Sequence, residues 1–160
     1  MTSMAPARGE SDLSFLLDHA SHVLRTQMTA ALAEIGLTPR MHCVLVHALE
    51  EERTQIQLAE LGDMDKTTMV VTVDALEKAG YAERRPSTKD RRARIIWVTE
   101  EGARIAERSQ RIVDGVHEAA FAALPDGERA VFERALTRLV EGHLSTPAEV
   151  PQPVRRARQA

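Results

Sequence analysis

The residues best suited to chemistry lie in one short run. Between Arg84 and Arg94 stand Arg84, Arg85, Lys89, Arg91, Arg92 and Arg94 against a single acid, Asp90. Positive charge gathered this tightly suits a polyanion, and guanidinium groups suit the phosphates and narrow minor groove of DNA. The formal net charge of −3 argues against nucleic-acid binding as an average, but an acidic protein binds DNA when its cations share one surface. The bland alternative is a solvated charged face. A second group holds softer chemistry: His19, His22, His42 and Cys43. His19 and His22 fall three apart on one helix and could share a site. A mixed His/Cys set could hold zinc, yet the spacing is not that of a metal motif, so no metal and no cofactor are expected.

No nucleophile elbow, phosphate loop or HExxH pattern occurs, and the acids at 50–52 and 100–101 are explained by helix ends. The sequence therefore reads as a non-enzyme. No apolar run approaches the roughly 18 residues of a membrane span, and no export signal is visible. One cysteine permits no intrachain disulfide. The expectation is a cytoplasmic protein without membrane contact.

The elements around the basic run decide between these readings. The chain has 160 residues, 43% hydrophobic and only 3% aromatic, so its core must be aliphatic, which favours packed helices. Residues 1–10 lack periodicity and are expected to be disordered. Helical spacing of Leu13, Leu17, Leu24, Met28 and Leu32 marks a long helix over 11–35. Thr38-Pro39 starts a second. Thr54 to Gln57 reads as a capping box before a short third helix, and Asp65 caps a fourth running from Lys66 to Ala79, stopped by Gly80. Tyr81–Arg85 and Arg92–Val98 read as two strands around a turn. Thr99 starts a fifth helix that reaches Leu124, and a sixth runs over about 128–144. A basic, Pro-containing tail from 145 to 160 is expected to be disordered. The fold class is thus mainly α with a small β-hairpin, and the basic run occupies the hairpin.

Short helix, tight turn, helix, basic hairpin is the order of a winged helix-turn-helix. Residues 54–102 resemble the MarR family, carried by "LAELGDMDKTT", "LEKAGYAERRPSTKDRRAR" and "VTEEG". The likeness extends over roughly 11–144. It implies a winged helix-turn-helix domain over 38–99, with helices at 11–37 and 100–144 forming a dimerisation domain. It also implies a sequence-specific regulator, commonly a repressor, that binds double-stranded DNA as a homodimer and is released by a small aromatic or anionic ligand.

The fourth helix should bury Met69, Val73 and Leu76 and turn Thr67 and Val71 toward the major groove, with Thr68 beside them. Thr54, Gln55 and Lys66 join that DNA-facing set. Val71 stands where many members carry arginine. It could pack on a thymine methyl, or be a tolerated surface valine. By resemblance, Arg92 enters the minor groove and Asp90 holds it, while Arg84, Arg85, Lys89, Arg91 and Arg94 meet phosphates or make salt bridges. A ligand pocket would draw on His19, His22, His42 or Cys43. Cys43 does not match the reactive cysteine of the family's peroxide sensors, which lies in the first helix, so an inert buried thiol is expected. A winged module that binds protein rather than DNA, and a metal- or redox-sensing regulator, are the alternatives.

Overall fold

The computed structural model describes residues 12–148, so the expectations for 1–10 and for most of 145–160 lie outside the described residues. Six helices and one hairpin follow in order: α1 (Leu13–Ala33), α2 (Pro39–Glu50), α3 (Gln55–Leu61), α4 (Lys66–Lys78), β1 (Ala82–Pro86), β2 (Arg94–Val98), α5 (Glu100–Phe121) and α6 (Glu128–Glu141). Two compact units divide the chain between Ala119 and Ala120.

Local chemistry sets the boundaries in the first unit. Asp12, Thr38, Thr54 and Asp65 each accept a hydrogen bond from a backbone amide in the first turn of the helix they precede. Thr54 and Gln57 complete the capping box reciprocally. Thr99 does the same for α5, accepting from Gly102 N at 3.0 Å while its hydroxyl donates to Gly80 O. Gly80, at φ +77°, ends α4, and Tyr81 N returns to Leu76 O at 2.9 Å.

The core of this unit joins Leu32 and Leu37 to Met41, Val44 and Leu45 of α2, Leu58 of α3, and Met69, Val73 and Leu76 of α4. Ala82 and Ile96 of the hairpin and Ala106 and Val113 of α5 close it. The periodicity of α4 is thus satisfied as expected: its apolar stripe faces inward and Thr67 and Val71 face out. Gly102 sits where α5 passes the start of the hairpin. A Cβ there would come within 1.9 Å of Tyr81 O, so only glycine permits this approach.

β1 and β2 pair antiparallel with Glu83 opposite Trp97 and Arg84 opposite Ile96. The strands are shifted from the sequence expectation. β1 begins at Ala82 and runs through Pro86, and β2 begins at Arg94 rather than Arg92. Ser87 N still reaches across to Ala93 O at 2.9 Å, and the residues between them form the loop because their amides turn inward: Lys89 N and Asp90 N donate to Ser87 Oγ, and Arg92 N donates to Asp90 Oδ1. Residues 53 and 54 add to the other side of β2, with Ile96 N donating to Arg53 O at 3.1 Å and Thr54 bridging Ile95.

In the second unit Gly127, at φ +85°, precedes α6, which ends at Glu141, capped by Gly142, rather than at residue 144. Phe121 and Phe132 meet edge to face, with centroids 6.4 Å apart. No residue of α6 is buried.

Candidate nucleic-acid interface

α3 and α4 are joined by Gly62–Asp65, with Asp63 at φ 48°, a left-handed position that Asp tolerates. The turn delivers the N-terminal half of α4 to the surface. Lys66, Thr67 and Val71 are exposed there, Val71 at 63%. Thr68 is committed locally: its amide and hydroxyl both donate to Asp65, at 2.9 and 2.6 Å. These two bonds hold the Asp65 carboxyl below the usual range. Thr54 is likewise engaged in its capping box.

The hairpin divides the basic run into two sets. Arg84 donates to Glu77, to Asp74 at 2.7 Å and to Gln55 Oε1 at 3.2 Å. Its own amide donates to Glu77 at 2.9 Å. Arg85 pairs with Glu83 at 2.7 Å and lies over the Trp97 ring, 5.2 Å from the centroid. Lys89, Arg91, Arg92 and Arg94 are exposed at and beside the loop, and no ion pair to them occurs among the described residues. Asp90 accepts from the Arg92 amide at 2.9 Å, so it shapes the loop backbone at Arg92.

One residue that sequence reasoning missed anchors this loop. Glu52 Oε2 accepts from Ser87 Oγ at 2.8 Å, and Oε1 accepts from Thr88 Oγ1 at 2.5 Å. Thr88 N donates to the same carboxylate at 3.3 Å. The hydroxyls of Thr88 and then Ser87 hold the Glu52 carboxyl below its ordinary range. The sequence signal was only an acid after a helix and hydroxyls in a turn.

The candidate ligand residues are not gathered into one cluster. His42 is buried on α2, and its Nδ1 lies 2.8 Å from Ser109 Oγ of α5. Ser109 Oγ donates to Ala106 O at 2.7 Å, so Nδ1 carries the proton and Nε2 is the ring's acceptor. Burial lowers the His42 pKa, Asp114 opposes this, and His117 and His47 add to the lowering. Cys43 is half-buried; burial and then Asp63 and Glu50 push its thiol up, the opposite of an activated thiolate. His19 is exposed on α1, its ring stacked on Phe15 at 5.6 Å, and His22 is exposed beside it. No group of three or more His, Cys, Asp or Glu placed to hold a metal occurs among the described residues. Nor is any described helix long and apolar enough to cross a membrane.

The MarR family model matches residues 35–93, from the turn after α1 through the wing loop. CouR from Rhodococcus jostii RHA1 is 30% identical, covering 88% of this chain and 96% of that one, with a TM-score of 0.74. The chain belongs to the MarR family. A MarR-family transcriptional regulator from Rhodococcus sp. RHA1 is 29% identical, with coverage of 84% and 97% and a TM-score of 0.73. The transcriptional repressor Rv2887 of Mycobacterium tuberculosis is 27% identical over 131 residues, 81% of this chain and 94% of the repressor. This MarR-family chain is a DNA-binding transcriptional regulator of the winged-helix type.

Proposed function

We propose that this chain is a homodimeric repressor that binds a pseudo-palindromic operator in the cytoplasm and leaves it when a small aromatic or anionic ligand binds. It is not an enzyme. α4 enters the major groove with Lys66, Thr67 and Val71. The wing loop brings Arg92 to the minor groove while Lys89, Arg91 and Arg94 meet phosphates. The observation that carries this reading is the set of exposed cations Lys89, Arg91 and Arg92 on the wing loop and Arg94 at the start of β2, in a unit that also exposes the Lys66, Thr67 and Val71 face of α4. Thr54, Gln55, Thr68, Arg84 and Arg85 serve the interface mainly by holding it together.

Dimerisation uses the helices of 11–37 and 100–144. It is supported by apolar side chains left outside any core: Leu13, Phe15 and Leu16 on α1, and Val131, Phe132 and Val140 on α6. A two-fold pair presents two α4 helices to half-sites about 10 bp apart, which one helix alone cannot read. The ligand class is supported by two relatives. CouR was crystallised bound to p-coumaroyl-CoA, and Rv2887, 25% identical with a TM-score of 0.70, with salicylic acid. Both ligands are aromatic. In this chain His42 is the candidate contact, since its Nε2 can accept a hydrogen bond.

The test is a footprint on the DNA upstream of the protein's own gene, repeated with salicylic acid and with aromatic acyl-CoA thioesters. Two protected half-sites one helical turn apart, a mass of twice 17.7 kDa in solution and release by one ligand class are expected. A monomer that protects no DNA would end this reading.

A further inference from the structure

We infer that Glu52 is a positioning residue for DNA binding: it fastens the wing loop to the helix-turn-helix and so fixes where the loop's free cations stand. The inference rests on the wing's role proposed above.

Glu52 lies in the short link between α2 and α3, two residues before the capping box that starts the DNA-facing helices. Its carboxylate takes three donors from the loop that follows β1: Ser87 Oγ, Thr88 Oγ1 and Thr88 N. Hydrogen bonds to an ionised acceptor are about twice as strong as neutral ones. Ser87 is the relay. It is 8% exposed, donates to Glu52, and accepts from Lys89 N at 3.0 Å and Asp90 N at 3.3 Å. Every group of that hydroxyl is used, so the loop backbone at Lys89 and Asp90 is tied through Ser87 to Glu52.

The neighbouring residues grip the other arm of the hairpin. Arg53 O accepts from Ile96 N, and Thr54 bridges Ile95. Residues 52–54 therefore hold the hairpin on both sides, and Glu52 is the only one of the three that reaches the loop itself. Without it, the hairpin stays attached along β2, and the loop carrying Lys89, Arg91 and Arg92 loses its tie to the link between α2 and α3.

Charge makes the test decisive, because two effects of removing Glu52 have opposite signs. An acid near a DNA-binding face repels phosphates, so electrostatics alone predicts tighter binding once it is gone. Loss of the clamp predicts weaker binding. The probe is a duplex selected from a random library by the wild-type protein. For Glu52→Ala we expect affinity to fall about tenfold or more and the slope of log K against log salt to flatten by about two, because the loop's phosphate contacts are lost. Amide exchange at Thr88, Lys89 and Asp90 should quicken in the free protein more than exchange in the core, with the fold retained and the melting temperature lowered modestly.

Glu52→Gln keeps the shape and one acceptor oxygen and should fall between the two, and it serves if the alanine variant does not fold. Ser87→Ala should weaken binding in the same way and add little to Glu52→Ala. Glu60→Ala removes an exposed acid from α3 without touching the loop and should leave binding unchanged or tighter. Unchanged or tighter binding by Glu52→Ala and Glu52→Gln, with protected loop amides, overturns the inference. If the wild type selects no duplex, the DNA reading fails, while the exchange measurement still decides whether Glu52 holds the loop.

Discussion

The base and the tip of the hairpin carry the same residue type and put it to opposite use. At the base, Arg84 reaches Asp74 and Glu77 on α4, and Arg85 reaches Glu83 and the Trp97 ring. At the tip, Arg91, Arg92 and Lys89 are exposed and form no ion pair among the described residues, although the Lys89 charge is felt at Glu52. The difference is geometric. α4 ends beside the first residues of β1, so its acids meet only those, while the loop projects beyond them. The tip's own acid, Asp90, gives its carboxylate to the Arg92 amide. A charge at the base therefore supports the fold, and a charge at the tip is available to a partner.

Removing the tip charges should produce the largest effect. Arg91→Ala with Arg92→Ala is expected to lower affinity for the selected duplex about 10–100-fold and to flatten the salt slope by about two. Its melting curve should overlay the wild type, because neither side chain bonds the fold. Full affinity in this variant would mean that the tip does not touch DNA, and the contrast between tip and base would lose its functional meaning.

Arg84→Ala should show the converse, at a smaller scale. It leaves Asp74 and Glu77 without their cation and frees Gln55. The Arg84 side chain is 30% exposed and Glu77 34%, so solvent screening reduces the value of the network to about 1 kcal/mol, or about 3 °C in melting temperature. The salt slope should not move. A slope reduced by about one would place Arg84 on a phosphate and erase the division.

This division could not be read from the sequence, whereas the scaffold could. Caps at Thr38, Thr54, Asp65 and Thr99, the stop at Gly80 and the buried stripe Met69, Val73 and Leu76 are local, set by residues within one or two turns of each other. The fate of an arginine is not local. Gln55 lies 29 positions from Arg84 and Glu52 35 from Ser87, and only the packed fold brings them together. The strand limits slipped for a related reason. Arg92 and Ala93 look β-compatible, but the Arg92 amide goes to the Asp90 carboxylate and the Ala93 amide to the Asp90 carbonyl, so neither joins the ladder. The ligand candidates scattered because helical spacing relates His19 to His22 but says nothing of which helix faces them. Only the fold set His42 against Ser109.

The smallest effect should come from α4, where reading is by shape rather than charge. Its exposed face offers Lys66, Thr67 and Val71; Thr68 is held by Asp65, and Asp74 is held by Arg84. No arginine, asparagine or glutamine of α4 is placed to grip a purine edge. Val71, 63% exposed, suits the methyl group of thymine. Replacing thymine by uracil removes that methyl and nothing else. Burying one such group is worth about 0.8 kcal/mol, so one substitution in each half-site in turn should cost about fourfold at the contacted position. In Val71→Ala the same replacement should cost almost nothing, since the partner of the methyl is gone. If uracil is tolerated everywhere by the wild type, Val71 is a surface valine and sequence must be read by the wing and by DNA shape. A cost that persists in Val71→Ala assigns the methyl to another residue, with Thr67 the first to examine.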